Sequence, residues 1–117
     1  QKKVNIKSYA LTHAKGLKAS TSIAIEISGK VFEASSSGEG QYDAFWKALK
    51  KIYKREKRKL PKLIDYATRI PPGSDSDALC ETTITWNDGN REFLTRGLDS
   101  DQTVSAIQAT EKMLNII

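Results

Sequence analysis

The chain has one cysteine, one histidine, one methionine and three prolines among its 117 residues, and each shortage removes a class of explanation. A lone Cys80 rules out an internal disulfide and makes a reducing cytoplasm the expected home. His13 has no second histidine or cysteine beside it, so the usual zinc spacings cannot be drawn. No stretch of about 20 apolar residues occurs, so no membrane-spanning helix is expected. The opening QKKVNIK lacks both an initial Met and the charged-then-apolar pattern of a targeting segment; it reads as a piece excised from something longer. There is no Walker sequence, and Gly38-Glu39-Gly40 follows no dinucleotide fingerprint.

What is present suits one globular domain with a single modest core: 38% of residues are hydrophobic and 28% charged. The net charge of +5 is unevenly placed, with nine Lys or Arg against one acid, Glu56, between Lys47 and Lys62. That segment alone carries about +8, leaving the remainder near −3.

Periodicity divides the chain into elements. Val4 to Leu11 alternates as a strand, and His13 to Ser22 is a polar connection punctuated by Gly16. Ile23, Ile25 and Ile27 share one face of a second strand, and after a turn at Gly29 and Lys30 a third runs to Ser35. A loop of Ser35, Ser36, Ser37, Gly38 and Gly40 then feeds a helix. Its Tyr42, Phe45, Trp46, Leu49, Ile52 and Tyr53 recur at three and four, and it ends before Pro61. The pattern repeats. Leu63 to Pro71 is a strand, residues 71–76 a loop, Ala78 to Trp86 a β-branched strand, Asn87 to Asn90 a hairpin turn and Arg91 to Arg96 the returning strand. Gly97 to Ser100 forms a second glycine loop, followed by a helix with Val104, Ile107, Thr110, Met113, Leu114 and Ile117 on one face. Two β-β-β-α units, residues 4–58 and 63–117, predict an α+β fold. The two units are expected to pack about a pseudo-twofold axis.

The inventory for catalysis is thin. Without a positioned nucleophile, base and orienting group, no reaction is expected of this chain, and its own cofactor list is empty. Cys80, within an apolar strand face, reads as a small buried hydrophobe. The basic run at Lys54 to Lys59 offers a phosphate grip with Trp46 and Tyr53 to stack, which would make a nucleic-acid module. Against that, both aromatics fall on the apolar stripe, and cations at a helix end are ordinarily solvated. The two glycine loops are the better candidates. Each opens a helix whose first amide hydrogens suit a carboxylate, and each carries an acid (Asp43; Asp99 and Asp101) suited to an ammonium group. First-turn acids also serve simply as caps or dipole partners, and pattern alone favours that use.

The ordered set Gly38-x-Gly40-x-x-Asp43-Ala44, Asp65-Tyr66, Gly73 with Asp77-Ala78, Arg96-Gly97-x-Asp99-x-Asp101 and Asn115 resembles the C-terminal regulatory domain of the α-isopropylmalate, citramalate and homocitrate synthase group. The resemblance spans essentially the whole chain from Val4 to Ile117. It implies a dimerising, non-catalytic module that binds an end-product amino acid and inhibits a separate barrel domain. The barrel's divalent metal and acetyl-CoA would lie elsewhere in the parent. Carried onto this chain, Gly38, Gly40, Tyr42 and Asp43 with Asp99, Asp101 and Gln102 would hold the effector's charged groups. Leu63, Tyr66, Ile70, Cys80 and Tyr42 would surround its side chain. Gln41-Tyr42 stands where Pro-Val often precedes the Asp in this group, which reshapes the expected pocket. Leucine is the preferred effector, because isopropylmalate synthases are the larger group, with isoleucine next; the apolar lining argues against lysine. The expected partners are thus a branched-chain amino acid, a second copy and the catalytic domain of the same parent, with no membrane.

Overall fold

The computed structural model describes residues 2–71 and 79–117. It divides into two compact units, Gln1–Leu60 and Pro61–Ile117. Each is a three-stranded antiparallel sheet followed by one helix, so the α+β, twice β-β-β-α expectation holds.

In the first unit β1 (Val4–Thr12), β2 (Ala19–Ile27) and β3 (Lys30–Gly38) pair in sequence order. Strict alternation on β2 buries Ala19, Thr21, Ile23, Ile25 and Ile27 on a single face. Helix α1 (Gln41–Arg55) lies along that face over β2 and β3 and buries Ala44, Phe45, Ala48, Leu49, Ile52 and Tyr53. Removing a Leu, Ile or Phe side chain of this kind from water is worth about 1.5–3 kcal/mol. The hairpin joining β2 to β3 uses Ser28 and Gly29, both at positive φ (50° and 85°), with Ile27 opposite Lys30. Two successive left-handed residues make the turn whose twist suits a tight hairpin, so the turn sits one residue earlier than the sequence suggested.

In the second unit β4 (Lys62–Arg69), β5 (Cys80–Asn87) and β6 (Glu92–Asp99) form the sheet and α2 (Gln102–Leu114) covers β5 and β6. Thr82, Ile84 and Trp86 are buried beneath Ala106, Ala109 and Met113, and the Trp86 indole N–H donates to Thr95 Oγ1 at 2.8 Å. The first strands match in detail. A bulge shifts the register between Ile6 and Ser8 in β1 and between Leu63 and Asp65 in β4, which places Tyr9 and Tyr66 in corresponding positions.

Two expectations need correction. The glycine loops are mostly strand, since β3 continues through Ser35, Ser36 and Ser37 to Gly38 and β6 continues through Gly97 and Leu98 to Asp99. Backbone pairing to Ala19–Ser22 and to Cys80–Thr82 carries these residues, leaving only two-residue links before each helix. Helix α1 ends before Pro61 as expected, but at Arg55, so the basic run expected at its end lies partly beyond it. Lys57 adopts φ 55°, its N–H bonds to the Lys54 carbonyl and the Arg58 N–H bonds to the Tyr53 carbonyl, the double closure of a left-handed C-terminal cap. Lys57, Arg58 and Lys59 therefore lie beyond the helix rather than on it. Of the sequence motifs, Gly73, Asp77 and Ala78 fall outside the described residues, as does most of the loop expected at 71–76.

Candidate functional site

The candidate residues gather at the two helix starts, and the two starts are built differently. At the first, β3 ends on Gly38, where a Cβ would stand 2.5 Å from Asp43 Oδ2 and 2.7 Å from the Ala44 nitrogen. The first turn of α1 thus rests directly on backbone, and only glycine permits that approach. Gly40 is the N-cap, extended at φ −144° and ψ 174°, and has no side chain to offer the first-turn amides. A Cβ on Gly40 would meet nothing within 4 Å, so space lies open beside it. Asp43 reaches backward to accept the Glu39 N–H at 3.0 Å and pairs with Lys47 at 3.1 Å one turn on. The Glu39 amide and then the Lys47 ammonium hold its carboxyl below the usual carboxylate range. Tyr42 is half-buried with its ring tilted 33° against Phe45 at 5.8 Å.

At the second start a side chain closes the helix. Asp101 accepts from Thr103 N at 2.8 Å and Val104 N at 3.1 Å, while Asp99 Oδ2 accepts the Asp101 N–H at 2.8 Å. Beside it runs a ladder of polar side chains. The Gln102 amide donates to Thr68 Oγ1 at 3.4 Å, Thr68 meets Thr82 at 3.4 Å, Thr82 meets Ser105, and the Ser105 hydroxyl donates to the Gln102 carbonyl at 2.8 Å. Tyr66 hydrogen-bonds to Gln102 and Thr68; burial raises its phenol above the ordinary value, and these two bonds oppose the rise. Cys80 is half-buried, with Sγ 4.0 Å from the Ser100 carbonyl.

The second unit therefore brings together Tyr66, Cys80, Asp99, Asp101 and Gln102. Leu63 lies further along β4 opposite Trp86, and Ile70 is 64% exposed just past the strand. Sequence reasoning passed over Thr68, Thr82 and Ser105, which reach each other only by strand register. It also passed over Thr21. That residue is 3% exposed, and its hydroxyl is the one buried side-chain polar atom without a partner among the described residues. Thr21 occupies in the first unit the place of Thr82 in the second, but opposite it in register stands Leu11 instead of Thr68, and the α1 position matching Ser105 is Ala44.

Elsewhere, an open depression of about 570 Å³ crosses the first sheet on the side of Ser8, Ala10, Ser22, Ala24, Glu33 and Ser35, touching none of the candidate residues. Lys51 and Arg55, the cations of α1 nearest β3, donate to the Ser35 and Glu33 carbonyls at 2.7 and 2.6 Å, so part of the basic run is tied to the fold. No group of three or more His, Cys, Asp or Glu placed to hold a metal occurs among the described residues. No helix among them is long and apolar enough to cross a membrane.

A duplicated β-β-β-α layout with glycine approaches and acids at both helix starts is the arrangement that the sequence resemblance implied. The LeuA allosteric (dimerisation) domain family matches residues 1–117, the full length of the chain. The chain belongs to this family. Among curated proteins, this LeuA domain is similar to 2-isopropylmalate synthase of Aquifex aeolicus (strain VF5), with 32% identity over 94 residues, 80% of this chain and 17% of that protein. It thus corresponds to under a fifth of that relative's length. The family is defined by allosteric control and dimerisation rather than by a reaction, in keeping with a domain that regulates and does not catalyse.

Proposed function

We propose that this LeuA domain binds a branched-chain amino acid, leucine before isoleucine, and transmits its presence to the catalytic part of a 2-isopropylmalate or citramalate synthase as feedback inhibition. The observation that carries the reading is the match to an allosteric domain family over the whole chain. The contrast between the helix starts supports the location. The Gly40 N-cap leaves α1 open at its positive dipole end, where a carboxylate is stabilised, whereas Asp101 already fills that role on α2. Asp43, ionised and beside the opening, supplies a counter-charge for an ammonium group, and Tyr42 offers an aromatic wall for an aliphatic side chain. Tyr66, Cys80, Leu63, Ile70, Asp99, Asp101 and Gln102 of the second unit are likewise proposed as effector-binding residues. The divalent metal, acetyl-CoA and 2-oxoacid would be handled by the remainder of the parent chain.

Leucine and isoleucine differ in the position of one methyl group, a distinction worth about 1–3 kcal/mol in an apolar pocket. Titration calorimetry with leucine, isoleucine, valine and lysine tests the proposal. Saturable heat from one branched-chain amino acid, at least tenfold weaker for Asp43→Ala at unchanged circular dichroism, is the expected result. No heat from any of the four in a folded dimer refutes it.

A further inference from the structure

Four strand edges border the two sheets, and three of them carry a device against pairing with another strand. Bulges at Lys7 and Ile64 interrupt the outer strands β1 and β4, and a bulge twists an edge away from a flat partner. On β3 the outward carbonyls of Glu33 and Ser35 are occupied by the Arg55 guanidinium and the Lys51 ammonium. The fourth edge, β6, differs. Its outward Leu98 N–H is held by Gln108 Oε1 at 2.8 Å, which fixes the outward series as Glu92, Leu94, Arg96 and Leu98, because backbone groups alternate sides along a strand. Among the described residues no side chain covers the outward groups of Leu94 or Arg96. Of the positions matching Lys51 and Arg55, Lys112 makes no side-chain bond to this edge among the described residues, and Ile116 is apolar and lies past the end of α2.

The exposed side chains along this edge complete the argument. Leu94 is 52% exposed, and Glu92 and Arg96, also exposed, flank it on the same face at two residues on either side. An antiparallel twofold pairing centred on Leu94 sets Leu94 against itself and, in both directions, Glu92 against Arg96 of the second copy. Apolar and opposite-charge pairs directly opposed on one face are the contacts that stabilise a sheet. A register centred on Arg96 would instead oppose two guanidinium groups and compete with Gln108 for Leu98.

We infer that β6 is the dimerisation edge of this domain: β6 of two copies pairs antiparallel about Leu94, joining two three-stranded sheets into one of six strands. The occupant follows from the dimerisation role of the family and from the self-complementary charge pattern. The inference rests on that role and is independent of which amino acid is bound.

Sedimentation velocity of the chain as wild type, Glu92→Arg, Arg96→Glu and the double exchange tests it, with circular dichroism to verify folding. Each single change places like charges opposite one another twice, so the dimer dissociation constant is expected to rise by about tenfold or more. The double exchange restores opposite charges and is expected to return it to within about threefold of wild type. A folded set of variants whose dissociation constants all equal the wild-type value, or a double exchange as weak as the singles, overturns β6 pairing. Either outcome leaves leucine calorimetry to judge the effector proposal separately.

Discussion

The two units share a plan and differ where their helices begin. In the second, the sheet and helix satisfy one another: Asp101 caps α2, and hydroxyls run without interruption from Thr68 through Thr82 to Ser105. In the first, the corresponding places hold Gly40, Leu11, Thr21 and Ala44, which leave the helix without a capping side chain and Thr21 with an unanswered hydroxyl. Duplication supplied one scaffold twice. Among the described residues the polar network is complete in one unit and absent from the other, and the helix start without it is the one that the proposed carboxylate site would use.

The strongest way to break the comparison is at the glycines. A Cβ at Gly97 would fall on the Ser105 carbonyl, a backbone atom that cannot give way, whereas one at Gly40 meets open space. Gly97→Ala is expected to cost about 3 kcal/mol or more in urea unfolding, and Gly40→Ala to stay within about 1 kcal/mol of wild type. Equal midpoints for the two would remove the asymmetry.

A smaller effect separates the paired threonines. Thr82→Val severs the ladder and strands Thr68 and Ser105, with an expected loss of about 1–2 kcal/mol. Thr21→Val removes a hydroxyl that has no partner and is expected to be neutral or to stabilise by up to about 1 kcal/mol. Denaturant midpoints of opposite sign in the two variants are the signature to look for.

The smallest effect concerns the acids. Asp101→Ala loses a helix cap, about 1 kcal/mol at neutral pH. Asp43 caps no first-turn amide, and its contribution depends on pH. Its folded carboxyl titrates below the ordinary range, chiefly through the Glu39 amide and then Lys47, so the stabilisation is complete above that range and fades as pH falls through the lowered value. Asp43→Ala is therefore expected to lower the neutral plateau slightly and to flatten the acid limb of the stability profile, so that wild type and variant differ most at neutral pH and converge as pH falls below the ordinary carboxylate range. A thermal melt series from neutral pH down through that range, wild type against variant, reads it directly.

Much of this was legible in advance. Ile23, Ile25 and Ile27 announced β2, the Asn87–Asn90 turn announced the second hairpin, and the recurrence of the same order announced two units. Ser35 to Ser37 misled because small polar residues without alternation read as loop, and their strand character comes from β2 across the hairpin. The helix end at Arg55 was hidden because Lys57 holds a left-handed position that sequence reasoning reserves for glycine or asparagine. The candidate acids were readable as first-turn residues. What they bond to was not, since Thr68, Thr82 and Ser105 meet across 14 and 23 residues of chain through register alone.

The clasp of Lys51 and Arg55 over β3 has a consequence for the size of the assembly. A chain with two open strand edges joins head to tail, each addition exposing a fresh end, and such growth ends in filaments. With β3 held shut by two cations, joining through β6 leaves no further edge to extend, and association halts at a pair. Substituting both cations by alanine would test not whether the domain assembles but whether it knows when to stop.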